Sequence, residues 1–573
     1  MALFIFLIAA WRWLWGSCWN PLEVACFQGP GEGDHLQHFY GWMAYAYGDP
    51  RLEVPPVISN WSWPFNTPLL YTDSIPMAAI LLRPVGRISG IVFQYFSALS
   101  LISILASGTC GLIIGWKRYS TPYAGVALGL LLGLAPPAVI RLAGHEALGL
   151  HALLIIPLTL LILRVQLFWP WPLILFVAFG VHAYFVPMVI ILLIVRLFSR
   201  DFRHSRLGNS GYLNAAATAL MRVSRGMLPP GLFMYLADAA QVLVAIVGGY
   251  IIFGYSYGKF NVAPKGDIWS ANLLAILDPQ NQSSIFKPLS KVEPFQWEGF
   301  SYLGVAATLF VSFGIYRILA GGVRGTRAYR PLFPSGKLFS ALIAAAFVFA
   351  LGPTLYLGSV KILSYSKVAQ SIHIDTIYQL FRSCGRFSWL LYYTALLWGF
   401  DQVARYTRNY KALLVIVLVA LLETHIPALA NTKSTIKEHY DHGKEWLSKT
   451  RNANGNENLY LILKEADKLI NATGDPNFTS KLLPKYFAQS ANPSIKTNYH
   501  PYMLARSPKG FTDFYSQQTC TIISATRPSR GSPKRYLYIA SESALSECQD
   551  LGLKQIVSLS EGYAIYSYPT RVP

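Results

Sequence analysis

The sequence predicts an α-helical polytopic membrane protein of about eleven transmembrane helices with a small α/β domain at its C-terminal end. Three observations predict this. Of the 573 residues, 53% are hydrophobic and 13% charged, whereas a soluble domain carries about 25% charged residues. Apolar runs of membrane-crossing length recur up to about residue 427. Lysine and arginine gather in particular connecting segments, the arrangement that orients helices in a bilayer. The net charge of +20 therefore reads as topology and gives no ground for a nucleic-acid partner. An aromatic content of 14% suits Trp and Tyr at two membrane interfaces.

Each element follows in order. Ala2–Trp15 reads as an uncleaved first span, because no basic segment precedes it as in a signal peptide. Residues 17–82 form a first outer loop, in which His35–Tyr47 has aromatic residues at helical spacing and suits a helix lying in the interface plane. Further spans are expected at Ile88–Trp116, Tyr123–Leu142 and Ala147–Leu163. Lys117-Arg118 and Arg164 mark the inner side, and Gly144-His145-Glu146 is an outer turn. The run Pro172–Phe198 reads as two short helices broken near His182-Ala183-Tyr184. Basic residues at both of its ends, Arg164 and Arg196–Arg225, require an even number of crossings between them. Spans at Gly231–Phe253, Phe300–Leu319, Leu338–Leu357, Ser388–Val403 and Ala412–Leu422 complete the set. The N-terminus is then inside and the C-terminus outside, with a membrane domain at 1–427 and an outer α/β domain at 428–573. In the latter, Glu457–Ala472 reads as a helix and Arg535–Ala540, Gln555–Leu559 and Tyr563–Tyr568 as strands.

On this topology the outer face collects the residues able to do chemistry. Asp34, just above the membrane and partly desolvated, could take a proton from an acceptor hydroxyl. It could equally cap the helix that follows. His35 stands beside it, and Asp73 follows in Tyr71-Thr72-Asp73-Ser74-Ile75-Pro76, where it could serve as a turn acid. His145 and Glu146 open the fourth span, where an acid also suits the helix dipole. His182 lies near the outer side, and Glu298 precedes the eighth span, where it could meet sugar hydroxyls. Arg382 and Arg386, four apart on the outer side, could grip a phosphate or pyrophosphate. No Walker, Rossmann, zinc-finger, kinase or Gly-x-Ser-x-Gly signature occurs in a usable context. The histidines lack metal-ligand spacing, although Glu146 and Asp34 leave a divalent cation open as a cofactor. If the first loop and the C-terminal domain face an oxidising side, Cys18–Cys26 and Cys520–Cys548 are candidate disulfides, with free buried thiols as the alternative.

Taken together, Gly33-Asp34, Tyr40-Gly41-Trp42, Tyr71-Thr72-Asp73-Ser74-Ile75-Pro76, Gly144-His145-Glu146-Ala147-Leu148, Glu298-Gly299-Phe300-Ser301-Tyr302-Leu303-Gly304 and Arg382-Ser383-Cys384-Gly385-Arg386-Phe387 resemble the GT-C superfamily of polytopic glycosyltransferases. Within it, the chain looks most like a bacterial group of GT-C-like proteins, over the membrane part to about residue 425. The resemblance implies inverting transfer of a sugar, a pentose or a hexose, from a polyprenyl-phosphate donor to a periplasmic acceptor. Lipopolysaccharide, O-antigen or a surface protein such as a pilin are acceptors of that kind. Asp34 would be the base, and Arg382 and Arg386 would hold the donor phosphate. The chain departs from some relatives in having His35 where a second acid would stand. The resemblance also implies the bacterial inner membrane as the location. Two other expectations compete. A lipid-linked-sugar flippase would place polar residues at mid-membrane depth. A structural envelope protein would leave Asp34, Arg382 and Arg386 indifferent to substitution.

Overall fold

The computed structural model describes residues 1–28, 33–47, 53–58, 67–199, 230–257, 269–290, 294–320, 331–407 and 409–452, together with 468–471, 496–497, 536–541, 545, 553–558 and 563–567. The chain is mostly helical. In chain order the helices are α1 Ala2–Trp15, α2 Asp34–Tyr47, α3 Pro76–Ser89, α4 Phe96–Tyr119, α5 Pro122–Gly133, α6 Pro136–Val139, α7 Ala152–Ile162, α8 Pro170–Val181, α9 Phe185–Phe198, α10 Pro230–Ile252, α11 Gly304–Leu319, α12 Gly336–Ala350, α13 Ser366–Ser371, α14 Asp375–Leu380, α15 Ser388–Tyr406, α16 Tyr410–Ala420 and α17 Ile426–Asn452. Four helical stretches among the described residues are long and apolar enough to cross a membrane: Ala2–Trp19, Phe96–Tyr119, Pro122–Leu142 and Tyr410–Glu445. Six more apolar helices are shorter.

The chain divides into two compact units, each drawn from three segments. The first comprises Met1–Leu14, Ala98–Gly249 and Val262–Ser434. Its helices are apolar nearly all round, so small residues decide which ones meet. In α4, a side chain at Gly111 would strike the Leu128 backbone at 2.5 Å, and one at Gly115 would strike Gly125 at 2.4 Å. Glycines spaced by four in both helices thus bring the α4 and α5 backbones into contact. The first helix uses the same gaps, with Leu3 against Gly129 and Leu7 against Gly108. Asp401 of α15 is fully buried. It accepts from Arg118 Nε at 2.7 Å, Tyr119 OH at 2.8 Å and Arg405 Nε at 2.8 Å, tying the end of α4 to α15.

The second unit comprises Trp15–Ser97, Tyr250–Asn261 and Thr435–Pro573. Cys18 and Cys26 are joined by a disulfide, with Cα atoms 6.2 Å apart. Beside it, the Phe27 ring packs on Phe39 and Phe96 at 5.9 and 5.1 Å. Strands β1 Val57–Ile58 and β2 Thr67–Pro68 pair antiparallel. After β3 Thr354–Leu357 and β4 Val360–Ser364 of the first unit, strands β5 Lys468–Asn471, β6 Lys496–Thr497, β7 Tyr536–Ser541, β8 Lys554–Ser558 and β9 Tyr563–Ser567 build a five-stranded sheet. Its order is β6-β5-β7-β9-β8, parallel from β6 to β7 and antiparallel beyond.

Several expectations are corrected. The helix expected over Glu457–Ala472 ends in strand, because 468–471 pair with both β6 and β7; residues 453–467 lie outside the described residues. Such tertiary pairing overrides a weak local propensity. Ten of the fourteen residues of α2 are buried, and Tyr40, Met43 and Tyr47 share a half-buried face. The span expected at Leu338–Leu357 ends at Ala350, where Gly352 at φ +70° and Pro353 turn the chain into the β3–β4 hairpin. Pro136 and Pro137 close α5 at Gly133, and α7 starts only at Ala152, after a 3-10 turn at Glu146–Gly149. The run Pro172–Phe198 is two helices, α8 and α9, broken at His182–Tyr184. Residue 427 lies inside the continuous α17. Cys520, Cys548 and the basic stretches 200–225 and 324–330 lie outside the described residues.

Candidate functional site

Two constellations hold the residues singled out in the sequence, one in each unit. In the second unit, α2 begins at Asp34, so this carboxylate sits half-buried in the first helical turn, at the positive end of the helix dipole. The neighbouring His35 is buried and stacks on His439 of α17, ring centroids 3.7 Å apart and planes within 8°. The polar cluster at 71–76 packs on the same helix. Ser74 Oγ donates to the His38 carbonyl at 2.6 Å, and Gln37 Nε2 donates to the Tyr71 carbonyl at 3.4 Å. Gly41 permits this approach, because a side chain there would meet Thr72 Oγ1 at 2.3 Å and Ser74 Oγ at 2.5 Å. Asp73 is half-buried with φ +51°, and Ile75 follows at φ +49°. A left-handed β-branched residue is strained, and Pro76 directly after it opens α3. Thr72 bonds both the Leu69 carbonyl and Ser74, and the Tyr95 hydroxyl donates to the Ser74 carbonyl, which pins the turn. Tyr71 OH donates to the Tyr257 carbonyl at 3.3 Å. Burial, with the Asp73 charge added to it, pushes the Tyr255 phenol far up. The turn thus holds one carboxylate beside a neutral phenol, and α2 holds another at a helix start.

In the first unit the centre is Glu298, in a 3-10 turn at Pro294–Gly299 ahead of α11. Its carboxylate is gripped by two guanidiniums. Arg386 donates from Nε at 2.8 Å and from Nη2 at 3.0 Å, a bidentate fork. Arg141 Nη2 lies 3.1 Å from the same carboxylate and also donates to the Glu298 carbonyl. Burial alone would raise the pKa of Glu298, but Arg141 and Arg386 outweigh it and hold the group well below the usual carboxylate range. Aromatic faces sandwich the cations. Arg141 lies 4.7 Å over Trp297, and Arg386 lies 4.5 Å over Tyr184. The Tyr184 hydroxyl accepts from the Ser383 amide at 2.7 Å, and the His182 ring lies 5.4 Å from the Tyr184 ring. His145 adds positive influence on Glu298 and lies 6.2 Å from Trp297.

Sequence-predicted residues His145, His182, Glu298 and Arg386 are therefore brought together. Arg382 instead lies over Trp269 at 5.3 Å, and Glu146 is buried in its own turn. Gly385 explains the convergence of three chain segments, since a side chain there would strike Gly299 N, Trp269 O and Ala271 N at 2.9–3.0 Å. Two guanidiniums thus meet one carboxylate in a buried setting.

The sequence reading missed Arg141, His151 and the trio Glu423-Thr424-His425. Arg141 lies within the expected span Tyr123–Leu142, although a lone arginine in an apolar run is itself a signal. His151 Nδ1 is 2.7 Å from Tyr393 OH, and its ring is 4.4 Å from Trp389. Glu423 and His425 sit in a π-helical turn, Leu421–His425, between α16 and α17, a feature frequent at functional sites. Glu423 accepts from Tyr302 OH at 2.9 Å, Val305 N at 3.1 Å and the hydroxyls of Ser283 and Thr424. Among the described residues no group of three or more His, Cys, Asp or Glu is placed to hold a metal ion.

No curated protein and no solved structure matches the chain. A family model described as a domain of unknown function, DUF6311, matches residues 3–423. That match takes in α2, the 71–76 turn and the Glu298 centre, and the chain belongs to this family.

Proposed function

We propose that the chain is an inverting glycosyltransferase of the bacterial inner membrane, moving a pentose or hexose from a polyprenyl-phosphate donor to a periplasmic glycan or protein acceptor. The observation that carries the reading is the buried Arg141–Glu298–Arg386 centre, where two guanidiniums gather around one carboxylate, a grouping that suits the neighbourhood of a lipid-linked phosphate. Because Glu298 already occupies the fork of Arg386, that arginine acts by charge and by placing Arg382, which stands four residues earlier and contacts the phosphate. Asp34, at the first turn of α2, is the base that takes the acceptor proton. His35 and Asp73 position it, and Tyr71 fixes the 71–76 turn. The topology that goes with this reading has about eleven crossings, the N-terminus cytoplasmic and the C-terminal domain periplasmic. The Cys18–Cys26 disulfide supports an oxidising side for the first loop.

The test is glycan transfer in cells carrying Asp34→Asn or Arg382→Ala. Loss of the base lowers transfer by about 100-fold or more while the protein still inserts and accumulates. Mass spectrometry of surface glycans and pilins reads this out. Unchanged glycans in the Asp34→Asn strain would remove Asp34 from the chemistry.

A second reading, a lipid-linked-sugar flippase, is favoured by one observation. Glu423 and His425 are buried at the end of the apolar α16, where a translocated polar group would need partners. Retained transfer chemistry with Asp34 intact but Glu423→Gln and His425→Ala substituted would set that reading aside.

A further inference from the structure

We propose that the β3–β4 hairpin and the helices α13 and α14 form an interfacial foot, whose apolar side chains dip into the headgroup layer of an anionic bilayer. The proposal needs the chain to sit in a membrane and does not depend on the transferase reading.

The hairpin is rigidly mounted on one side and bare on the other. Thr354 and Tyr356 of β3 are buried, and the Tyr356 carbonyl accepts from the Leu273 amide at 2.9 Å. The Asn272 side chain clasps the turn from both directions, donating to the Gly358 carbonyl and accepting from its amide, each at 2.9 Å. All five residues of β4 are exposed. Val360, Ile362 and Leu363 expose 56%, 54% and 54% of their surface. The same pattern continues into α13 and α14, where Val368 and Ile377 are 59% and 48% exposed. A two-stranded hairpin is marginal in water, and a bare apolar edge strand invites aggregation. These side chains need a cover.

Position and charge select the bilayer as that cover. The hairpin starts at Thr354, four residues after the apolar α12 ends at Ala350, a reach of at most about 14 Å. The segment returns into α15 at Ser388. It is thus held at the end of two adjoining apolar helices. Exposed Lys361 and Lys367 lie among the apolar side chains, and Asp375 is the one acid between residues 351 and 387. A basic, apolar surface of this kind is drawn to anionic lipid headgroups. The outer edge of β4 still carries backbone groups that need hydrogen bonds, so the foot rests at headgroup depth and not in the hydrocarbon.

The test is depth-dependent quenching in the full chain. Ile362→Cys and, as an aqueous control, Lys437→Cys are labelled with an environment-sensitive fluorophore, the parent protein being labelled in parallel to subtract other cysteines. The proteins are reconstituted into phosphatidylglycerol–phosphatidylcholine vesicles with a nitroxide high on the acyl chain. The expected result is quenching of the Ile362 label by the lipid nitroxide about twofold or more above the control, with the reverse order for aqueous iodide. Lys361→Gln with Lys367→Gln lowers the lipid quenching, as does omitting phosphatidylglycerol. Iodide access equal to the control overturns the proposal. So does protection from both quenchers with cross-linking between copies, which would make the edge a protein interface. Lipid quenching indifferent to the two lysines overturns the anionic selectivity.

Discussion

A single carboxylate, that of Glu298, sets the electrostatics of the first unit's buried centre. Its folded pKa lies below the unfolded value because two guanidiniums outweigh the effect of burial. A depressed acid contributes stability that is fully present above its unfolded pKa of about 4.3 and is lost as pH falls through the folded value. Removing one partner of a buried pair is destabilising by about 3–5 kcal/mol, since the other charges are left uncompensated. Glu298→Gln should therefore lower the unfolding midpoint in detergent markedly at neutral pH. The gap from the parent should narrow below about pH 4, where the unfolded parent takes up a proton that the folded state still refuses. Circular dichroism melts across pH 7 to 3 check this, and a gap that held constant in acid would mean that packing, not charge, makes the difference. Asp34 differs in kind, being half-buried at a helix start.

Elements are placed by where backbones can approach. The α2 helix meets the 71–76 turn through Gly41, whose missing side chain admits Thr72 and Ser74. Gly41→Ala should cost about 1–3 kcal/mol through overpacking, although alanine is the better helix former. It should also shift the Asp73 turn. A lowered midpoint, together with faster proteolysis in the first loop, is the expected outcome; a stabilised protein would show that the contact relaxes freely. The α4–α5 pair obeys the same logic through Gly111, Gly115 and Gly125. The π-turn at Leu421–His425 places an acid with four donors inside an otherwise apolar stretch, a local departure from helical geometry that hydropathy averages away.

At the scale of the molecule, the decisive quantity is sidedness. The proposed topology puts Glu23 and Lys367 on the outer side and Lys117 on the inner side. Cysteines at these three positions should label accordingly: the first two in intact cells with an impermeant maleimide, the third only after permeabilisation. Labelling of Lys117 and Lys367 from one side would break the crossing count and with it the transferase reading. The glycine-lined helix contacts would stand regardless, since they depend on packing and not on orientation.

Apolar patterning located α1 and the strands β7, β8 and β9, and the basic residues at both ends of the run located the α8–α9 break. Those features arise from local burial demand and from breakers within a few residues, which a linear reading contains. Motif order also marked His145, Glu298 and Arg386 as candidates, but as residues of separate loops. Only the tertiary structure decided that Glu298 bridges Arg141 and Arg386 and that β5 is a strand. The reason is common to both. Each depends on a partner far along the chain, and charge pairing and strand pairing are properties of two segments, which neither segment carries alone.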